Sequence, residues 1–163
     1  YASRGLGDVY KRQSLGCELG NHTYSHVDLT TLAPEDMSAE IAGVDEDLVN
    51  LVGHGATVLR PPYGNINDSV RSTVGTPMIL WSIDTLDWET QDASQITEAV
   101  MSQVQDGSII LMHDIFSTSV DAAEIFIPKL IEEGYQLVTI HELAKIKGTE
   151  LTTGIAYGDF TGQ

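Results

Sequence analysis

The feature that most constrains the fold is a repeated alternation of short apolar runs with longer segments of helical periodicity. The clearest run, at residues 78–83, is apolar on both faces, as expected for a buried parallel strand. The clearest helical segment, at residues 34–52, has apolar side chains at three-to-four spacing and a proline suited to a first turn. Strand–helix alternation with short loops predicts an α/β fold with a parallel sheet or barrel.

The pattern predicts five strands and five helices. The predicted strands cover residues 17–21, 57–60, 78–83, 108–112 and 135–140. The predicted helices cover residues 34–52, 67–74, 94–105, 120–133 and 141–147. A closed barrel would require more strands, so the sequence indicates that an N-terminal portion of the fold is missing. In such folds the chemistry sits at the carboxyl ends of the strands.

The chain divides into three predicted parts. Residues 1–13, which hold three of the eight basic residues, resemble translated adapter sequence and are interpreted as a non-native scar, the alternative being a loose natural N-terminus. Residues 14–148 form the predicted domain, and residues 149–163, rich in glycine, a C-terminal tail. Cys17 is expected to be a small buried apolar residue.

Charge and composition exclude several classes of protein. The 163 residues include 24 Asp and Glu against 8 Lys and Arg, a formal charge of −16, which repels phosphate backbones and anionic lipids. We therefore expect neither nucleic-acid binding nor membrane insertion by this segment, and no apolar run is long enough to span a bilayer. One cysteine excludes an internal disulfide and any multi-cysteine metal site. The sequence does not indicate an oligomeric state.

Two motifs follow the first two predicted strands. His22 and His26, if their segment coils, lie one turn apart and share a face, and neutral imidazole is a common ligand of zinc and similar ions. The alternative is a pair of surface histidines. Arg60 to Gly64 contains two prolines and a glycine, a rigid loop that could hold the arginine and a backbone N–H in place, or simply a stiff turn.

Two more motifs follow the next strands. Asp84, Asp87 and Trp88 stand at the end of one strand, where the carboxylates could be catalytic or could cap a turn. Leu111 and His113 end another, where a histidine suits a general acid or base, or is a satisfied core residue. The conjunction of motifs at four successive strand ends favours one functional site. His54 and His141 lack this placement and are expected to be structural or exposed.

With these four motifs in this order, the sequence resembles the polysaccharide deacetylases, the NodB-homology domain of carbohydrate esterase family 4. The resemblance covers about Leu15 to Lys147. It implies a distorted (β/α) barrel and a divalent metal, usually zinc, bound by His22 and His26. The family's Thr-Phe-Asp-Asp motif, which carries the general base and a third metal ligand, is absent, so the chain looks like a fragment that lacks the first strand.

The resemblance also implies roles for the remaining motif residues. His113 would protonate the leaving amine, Asp87 would hold His113, and Arg60 would pair with the missing base. The backbone N–H of Tyr63 would stabilise the oxyanion. The substrate pocket would be lined by Trp88, Leu111 and Tyr63. Asp84 matches the motif without a firm role.

The implied activity is metal-dependent release of acetate from an N-acetylglucosamine-containing polysaccharide, similar to the bacterial peptidoglycan deacetylases. The alternatives are a non-catalytic carbohydrate-binding pseudoenzyme and a related enzyme acting on chitin or acetylxylan. The 163-residue chain itself is expected to be poorly active and to bind metal weakly, because two neutral histidines leave an undercharged site. A glycan outside the membrane implies an extracellular or cell-wall location, with an export signal or anchor expected in the missing N-terminal part.

Overall fold

The structure, a computed structural model, describes residues 9–162, which divide into two compact units. The first unit runs to Ile79 and includes Glu150–Tyr157, and the second comprises Leu80–Thr149 with residues 158–162. The helices are α1 (residues 9–14), α2 (Pro34–Val52), α3 (Asp68–Thr73), α4 (Asp87–Thr90), α5 (Ala93–Gln103), α6 (Ser117–Glu132) and α7 (Ile140–Ile146). The strands are β1 (Met78–Ile79), β2 (Ile83–Asp84), β3 (Ile110–Leu111) and β4 (Ala156–Tyr157).

Helix α2 dominates the first unit and has the bounds that its sequence pattern predicts. It begins at Pro34, whose missing N–H costs nothing in a first turn, and it ends before Gly53, which adopts a left-handed conformation at φ 85°. Its buried side chain Met37 packs into the core of this unit. That core consists of Leu29, Met37, Leu59, Val70, Val74 and Met78.

The strands of the first unit are shorter than predicted. Predicted strands 17–21 and 57–60 are reduced to single parallel bridges, from Asn21 to Leu59 and from Leu59 to Met78. The ladder ends where it does because Pro61, two residues after Leu59, has no N–H to donate. Cys17, predicted to be buried, is exposed in the segment before Asn21.

The second unit packs α5 against α6 over an apolar core. Ile96 and Val100 of α5 meet Ala122, Phe126 and Leu130 of α6, all buried. Beside them β2 pairs in parallel with β3, with Ile83 opposite Ile110. Within the described residues 9–162, no helix combines the length and apolar character needed to cross a membrane.

The predicted strand 78–83 is divided between the units as β1 and β2. Two successive N–H groups, of Ser82 and Ile83, both donate to the carbonyl of Ile109, at 3.0 and 3.1 Å. Sharing one acceptor interrupts the regular hydrogen-bond pattern, so the pairing of β2 with β3 begins only at Ile83, whereas β1 pairs with β4.

The predicted strand 135–140 is wrong, because these residues form no strand. Thr139 is instead the N-cap of α7, in a capping box in which Glu142 accepts the Thr139 N–H. In the part of the chain that the structure describes, no hydrogen bond reaches the backbone of residues 136–138. Leu137 and Val138 are 50% and 38% exposed, and among the described residues this β-prone segment has no partner strand.

The C-terminal residues predicted as a tail contribute to both units. Strand β4 pairs in parallel with β1, with Met78 opposite Ala156. Phe160 is fully buried in the second unit, where its N–H donates to the carbonyl of Gly107 at 2.8 Å. Of the predicted scar, residues 1–8 lie outside the described part of the chain, and residues 9–13 belong to α1.

Gly107 is a position where we expect substitution to be costly. It adopts φ 99°, and an added Cβ would lie 2.5 Å from the carbonyl carbon of Phe160. Gly134 is a matched control, since it adopts φ 92° with no atom within 4 Å of an added Cβ. Both Gly→Ala substitutions incur the left-handed strain, and Gly107→Ala should lose a further ~1–3 kcal/mol of unfolding free energy through overpacking. Urea denaturation of the two variants measures this difference, and equal losses would contradict it.

Candidate active site

The two histidines of the first motif lie together in the first unit. The ring centroids of His22 and His26 are 4.9 Å apart, in an edge-to-face arrangement. The segment is not the helical turn that the spacing suggested, because Thr23 and His26 adopt positive φ angles of 64° and 56°. The rings therefore meet through an irregular loop rather than through helical spacing.

One nitrogen of His22 is committed to the protein. Its Nδ1 lies 2.5 Å from the carbonyl oxygen of Arg60, which can only accept a hydrogen bond. In the neutral ring the proton is therefore on Nδ1 and the lone pair is on Nε2, the tautomer that a metal-binding histidine needs. The backbone of Arg60 thus fixes the tautomer.

This donor set fits part of a metal site. Two imidazoles suit zinc and similar divalent ions, but a zinc centre requires three or four protein ligands. Among the described residues, no group of three His, Cys, Asp or Glu side chains is arranged to hold a metal ion. His22 and His26 can therefore hold a metal together with a donor from outside this set.

The loop after Leu59 lies beside the histidines. The ring of Tyr63 is 5.1 Å from that of His26, and its side chain is 64% exposed. Tyr63 adopts φ 61° within a 3₁₀ turn, Pro62–Gly64. Within residues 9–162, its backbone N–H donates no hydrogen bond to the protein. It is an N–H available to a ligand.

Asp28, which follows the loop of the two histidines, connects it to the loop that carries Tyr63. Asp28 was not identified from the sequence. Its carboxylate accepts hydrogen bonds from Asn65 Nδ2 at 2.7 Å and from Thr30 Oγ1 at 2.7 Å. The hydrogen bonds from Thr30 and Asn65 lower the pKa of Asp28. Sequence gives no signal for this contact, because Asp28 and Asn65 are far apart in the chain.

Asp87 and His113 form a hydrogen-bonded pair in the second unit. The carboxylate of Asp87 is fully buried, and its Oδ1 accepts a hydrogen bond from His113 Nδ1 at 2.8 Å. Its Oδ2 accepts from the His113 backbone N–H at 2.6 Å and from Ser119 Oγ at 2.7 Å. Burial acts to raise the pKa of Asp87, but the hydrogen bonds from Ser119 and His113 outweigh it and hold the pKa below its usual value.

This arrangement gives His113 the geometry of a general acid or base. Nδ1 is occupied by the Asp87 carboxylate, and the side chain remains 28% exposed, so Nε2 is the nitrogen that can exchange a proton with a substrate. The fixed carboxylate behind the ring holds the orientation of the imidazole. Ser119, on α6, holds the other carboxylate oxygen and was not identified from the sequence.

The other residues of the second-unit motifs differ in exposure. Trp88 is 50% exposed, while Leu111 is only 7% exposed and presents little surface to a ligand. Asp84 accepts the N–H of Leu86 at 3.0 Å, which is the turn-capping role left open above. His54 and His141 are exposed, as predicted.

Comparison with known proteins identifies the family. The polysaccharide deacetylase family matches residues 6–76. The chain is 42% identical over 132 residues to the peptidoglycan-N-acetylmuramic acid deacetylase PdaC of Bacillus subtilis, covering 81% of this chain and 28% of that protein. It is 35% identical over 155 residues to the peptidoglycan-N-acetylglucosamine deacetylase PgdA of Listeria monocytogenes, covering 95% of this chain and 33% of that protein.

A solved structure described as T48 deacetylase with substrate superposes with a TM-score of 0.89 at 34% identity, covering 93% of this chain and 75% of that one. This similarity confirms the predicted α/β fold of the NodB-homology type. The chain belongs to the polysaccharide deacetylase family of hydrolases. It spans about a third of the length of the two curated relatives named above.

Proposed function

We propose that this chain carries part of the active site of a metal-dependent deacetylase that releases acetate from an N-acetylglucosamine-containing polysaccharide, peptidoglycan first of all. The observation that carries the proposal is the buried Asp87 carboxylate, which holds the Nδ1 of His113 and leaves Nε2 for a substrate. The relatives named above are peptidoglycan deacetylases, which supports this substrate class.

The metal part of the proposed site is His22 and His26. When bound, a divalent ion, zinc for preference, supplies Lewis acidity to the acetamide carbonyl and lowers the pKa of a water molecule. His22 contributes Nε2, because Arg60 holds its Nδ1 proton. The third protein ligand and the general base are proposed to be the two aspartates of the family's Thr-Phe-Asp-Asp motif. Arg60 would form an ion pair with the aspartate that acts as the base.

The remaining residues act on the substrate itself. The Tyr63 backbone N–H donates to the oxyanion that forms at the acetamide carbon, and one such donor contributes about 3 kcal/mol. His113, oriented by Asp87, donates a proton from Nε2 to the nitrogen of the leaving amine. Trp88, Leu111 and Tyr63 contact the acetylated sugar. Leu111 contributes little area to this contact, because it is only 7% exposed.

A carbohydrate-binding pseudoenzyme is the second candidate. The observation that favours it is that the described residues provide two imidazoles and no third ligand. A related deacetylase acting on chitin or acetylxylan would use the same residues. A substrate of the bacterial wall would place the protein outside the cell, in the wall or secreted.

The test is acetate release by the protein expressed from its natural open reading frame. We expect release from N-acetylated peptidoglycan that is abolished by a chelator and restored by Zn²⁺, with less from chitin oligomers and acetylxylan. Glycan binding without acetate release from any of the three, with Zn²⁺ present, would overturn the proposal and favour the pseudoenzyme.

A further inference from the structure

The loop that carries the two histidines has a backbone that its own sequence does not favour. Thr23 and His26 both adopt left-handed φ angles, and neither is glycine. Such conformations persist only where the surrounding structure determines them, and they concentrate at functional positions. The contacts that hold this loop therefore decide where the imidazoles lie.

The start of the loop is held on helix α2 through Asn21. Its Nδ2 donates to the carbonyl of Ile41 at 2.9 Å and to Asp45 Oδ1 at 3.2 Å, and its Oδ1 accepts the N–H of Thr23 at 2.9 Å. Asn21 is buried, so these bonds are shielded from water. They fix the backbone on both sides of His22.

The end of the loop is held on the same helix by Glu40. Its Oε2 accepts the backbone N–H of Ser25 at 2.8 Å, and its Oε1 accepts Ser25 Oγ at 2.6 Å. The carbonyl of Glu40 also accepts the N–H of Tyr24 at 3.1 Å. Both carboxylate oxygens are thus used on the residue that directly precedes His26.

A third contact brings the loop close to the helix. Gly43 lies on α2 beneath the ring of Tyr24, and an added Cβ would be 3.2 Å from Tyr24 Cδ2. Glycine inside a helix is unfavourable, so its presence is consistent with a need for this close approach. The helix therefore contacts the loop at Asn21, Tyr24 and Ser25.

We propose that Glu40 is a positioning residue that sets the orientation of His26 relative to His22, so that both imidazoles can bind one divalent ion. This inference rests on the metal site of the proposed function and deepens it. Glu40 does not touch the metal or the substrate, and it acts only through Ser25. The hydrogen bonds from Ser25 also lower the pKa of Glu40, which favours the ionised acceptor form that the two bonds require.

Glu40→Gln tests the proposal with little change in size. An amide is uncharged and has one oxygen, so it cannot accept the N–H and the hydroxyl of Ser25 on two separate oxygens, and neither bond keeps the strength that a carboxylate acceptor gives it. Glu46→Gln is the matched control, because it removes the same charge from an exposed position on the same helix, and within residues 9–162 the Glu46 side chain makes no hydrogen bond to the loop. Helical content and melting temperature of both variants establish that they fold.

Two readouts are measured. In the metal-free 163-residue chain, nuclear Overhauser effects report whether the ring protons of His22 and His26 stay close. We expect the effect in the wild type and in Glu46→Gln, and its loss in Glu40→Gln. Calorimetric titration with Zn²⁺ should give a dissociation constant about tenfold higher for Glu40→Gln than for Glu46→Gln. Removing a residue that orients a metal ligand typically weakens metal binding by about this factor or more.

The two readouts separate failure of this inference from failure of the proposed function. If the wild type binds no Zn²⁺, the contribution of this chain to a metal site fails, and the ring contact alone decides the role of Glu40. A ring contact and a dissociation constant that are the same in both Gln variants would overturn the inference. If Glu40→Gln does not fold, Ser25→Ala, which removes the hydroxyl without altering α2, should weaken the ring contact, and an unchanged contact would overturn it.

Discussion

Replacing His113 by alanine is expected to lower kcat for acetate release from N-acetylated peptidoglycan by a factor of about 10²–10⁴. The reason is that the proposed leaving group is an amine, which departs only when its nitrogen is protonated, and Nε2 of His113 is the proposed proton donor. Because Asp87 holds the ring from behind at 2.8 Å, the imidazole is already oriented before substrate arrives. We expect KM to change little, since the interaction strengthens only in the transition state.

The measurement is steady-state kinetics on the full natural protein, with released acetate quantified enzymatically. His141→Ala is the control, because His141 is an exposed histidine on α7 and lies outside the four motifs. It should retain wild-type kcat. If His113→Ala also retained wild-type kcat, the assignment of His113 as the acid would be wrong, whatever the substrate.

Replacing Phe160 by alanine is expected to lower the free energy of unfolding by about 3–5 kcal/mol, the usual cost of removing a buried aromatic side chain. Phe160 is 0% exposed and is the bulkiest fully buried side chain of the described chain. The loss combines the apolar transfer energy with the energy of the cavity that remains. Its N–H to Gly107 hydrogen bond keeps the backbone in place, so the cavity cannot easily close.

Urea denaturation followed by circular dichroism measures this loss. Ile155→Ala is the matched control in the same C-terminal segment, because its side chain is 46% exposed, and it should cost no more than about 1 kcal/mol. Equal midpoints for the two variants would show that the terminal segment is not part of the folded core.

The helices were the most predictable part of the fold. The bounds of α2 follow from its apolar spacing, its first-turn proline and its terminal glycine, all of which are local. Helix α3 was predicted nearly as well, because Asn67 accepts the Val70 N–H as an N-cap. Each of these signals acts over a few residues, so no knowledge of tertiary structure is needed.

The strands were less predictable because a strand depends on its neighbours. Residues 135–140 have the composition of a strand, yet 136–138 lack backbone partners among the described residues. Pairing is a property of two segments, and periodicity within one segment does not report it. The shared acceptor at Ile109, where the pairing of β2 with β3 begins, is likewise not evident from the sequence.

In the candidate site, too, local features could be predicted from the sequence and contacts between distant residues could not. The spacing of His22 and His26 correctly suggested neighbouring rings, but through a helical turn that the loop does not form. The pairing of Asp87 with His113 followed from family resemblance, since no local rule relates residues 26 positions apart. Three hydrogen-bonding residues belong to no sequence motif, because their partners are distant in the chain. They are Ser119, Asp28 and Glu40.

The path of the chain has a consequence for how such a protein can evolve. Each compact unit takes in a stretch of the C-terminal residues, so neither unit is encoded by one uninterrupted segment. A recombination breakpoint or a proteolytic cut near residue 80 would leave the first fragment without β4 and the second fragment with residues foreign to it. Recombination between relatives should therefore transfer both units together. Sequence differences should arise by substitution within the units and not by exchange of one unit alone.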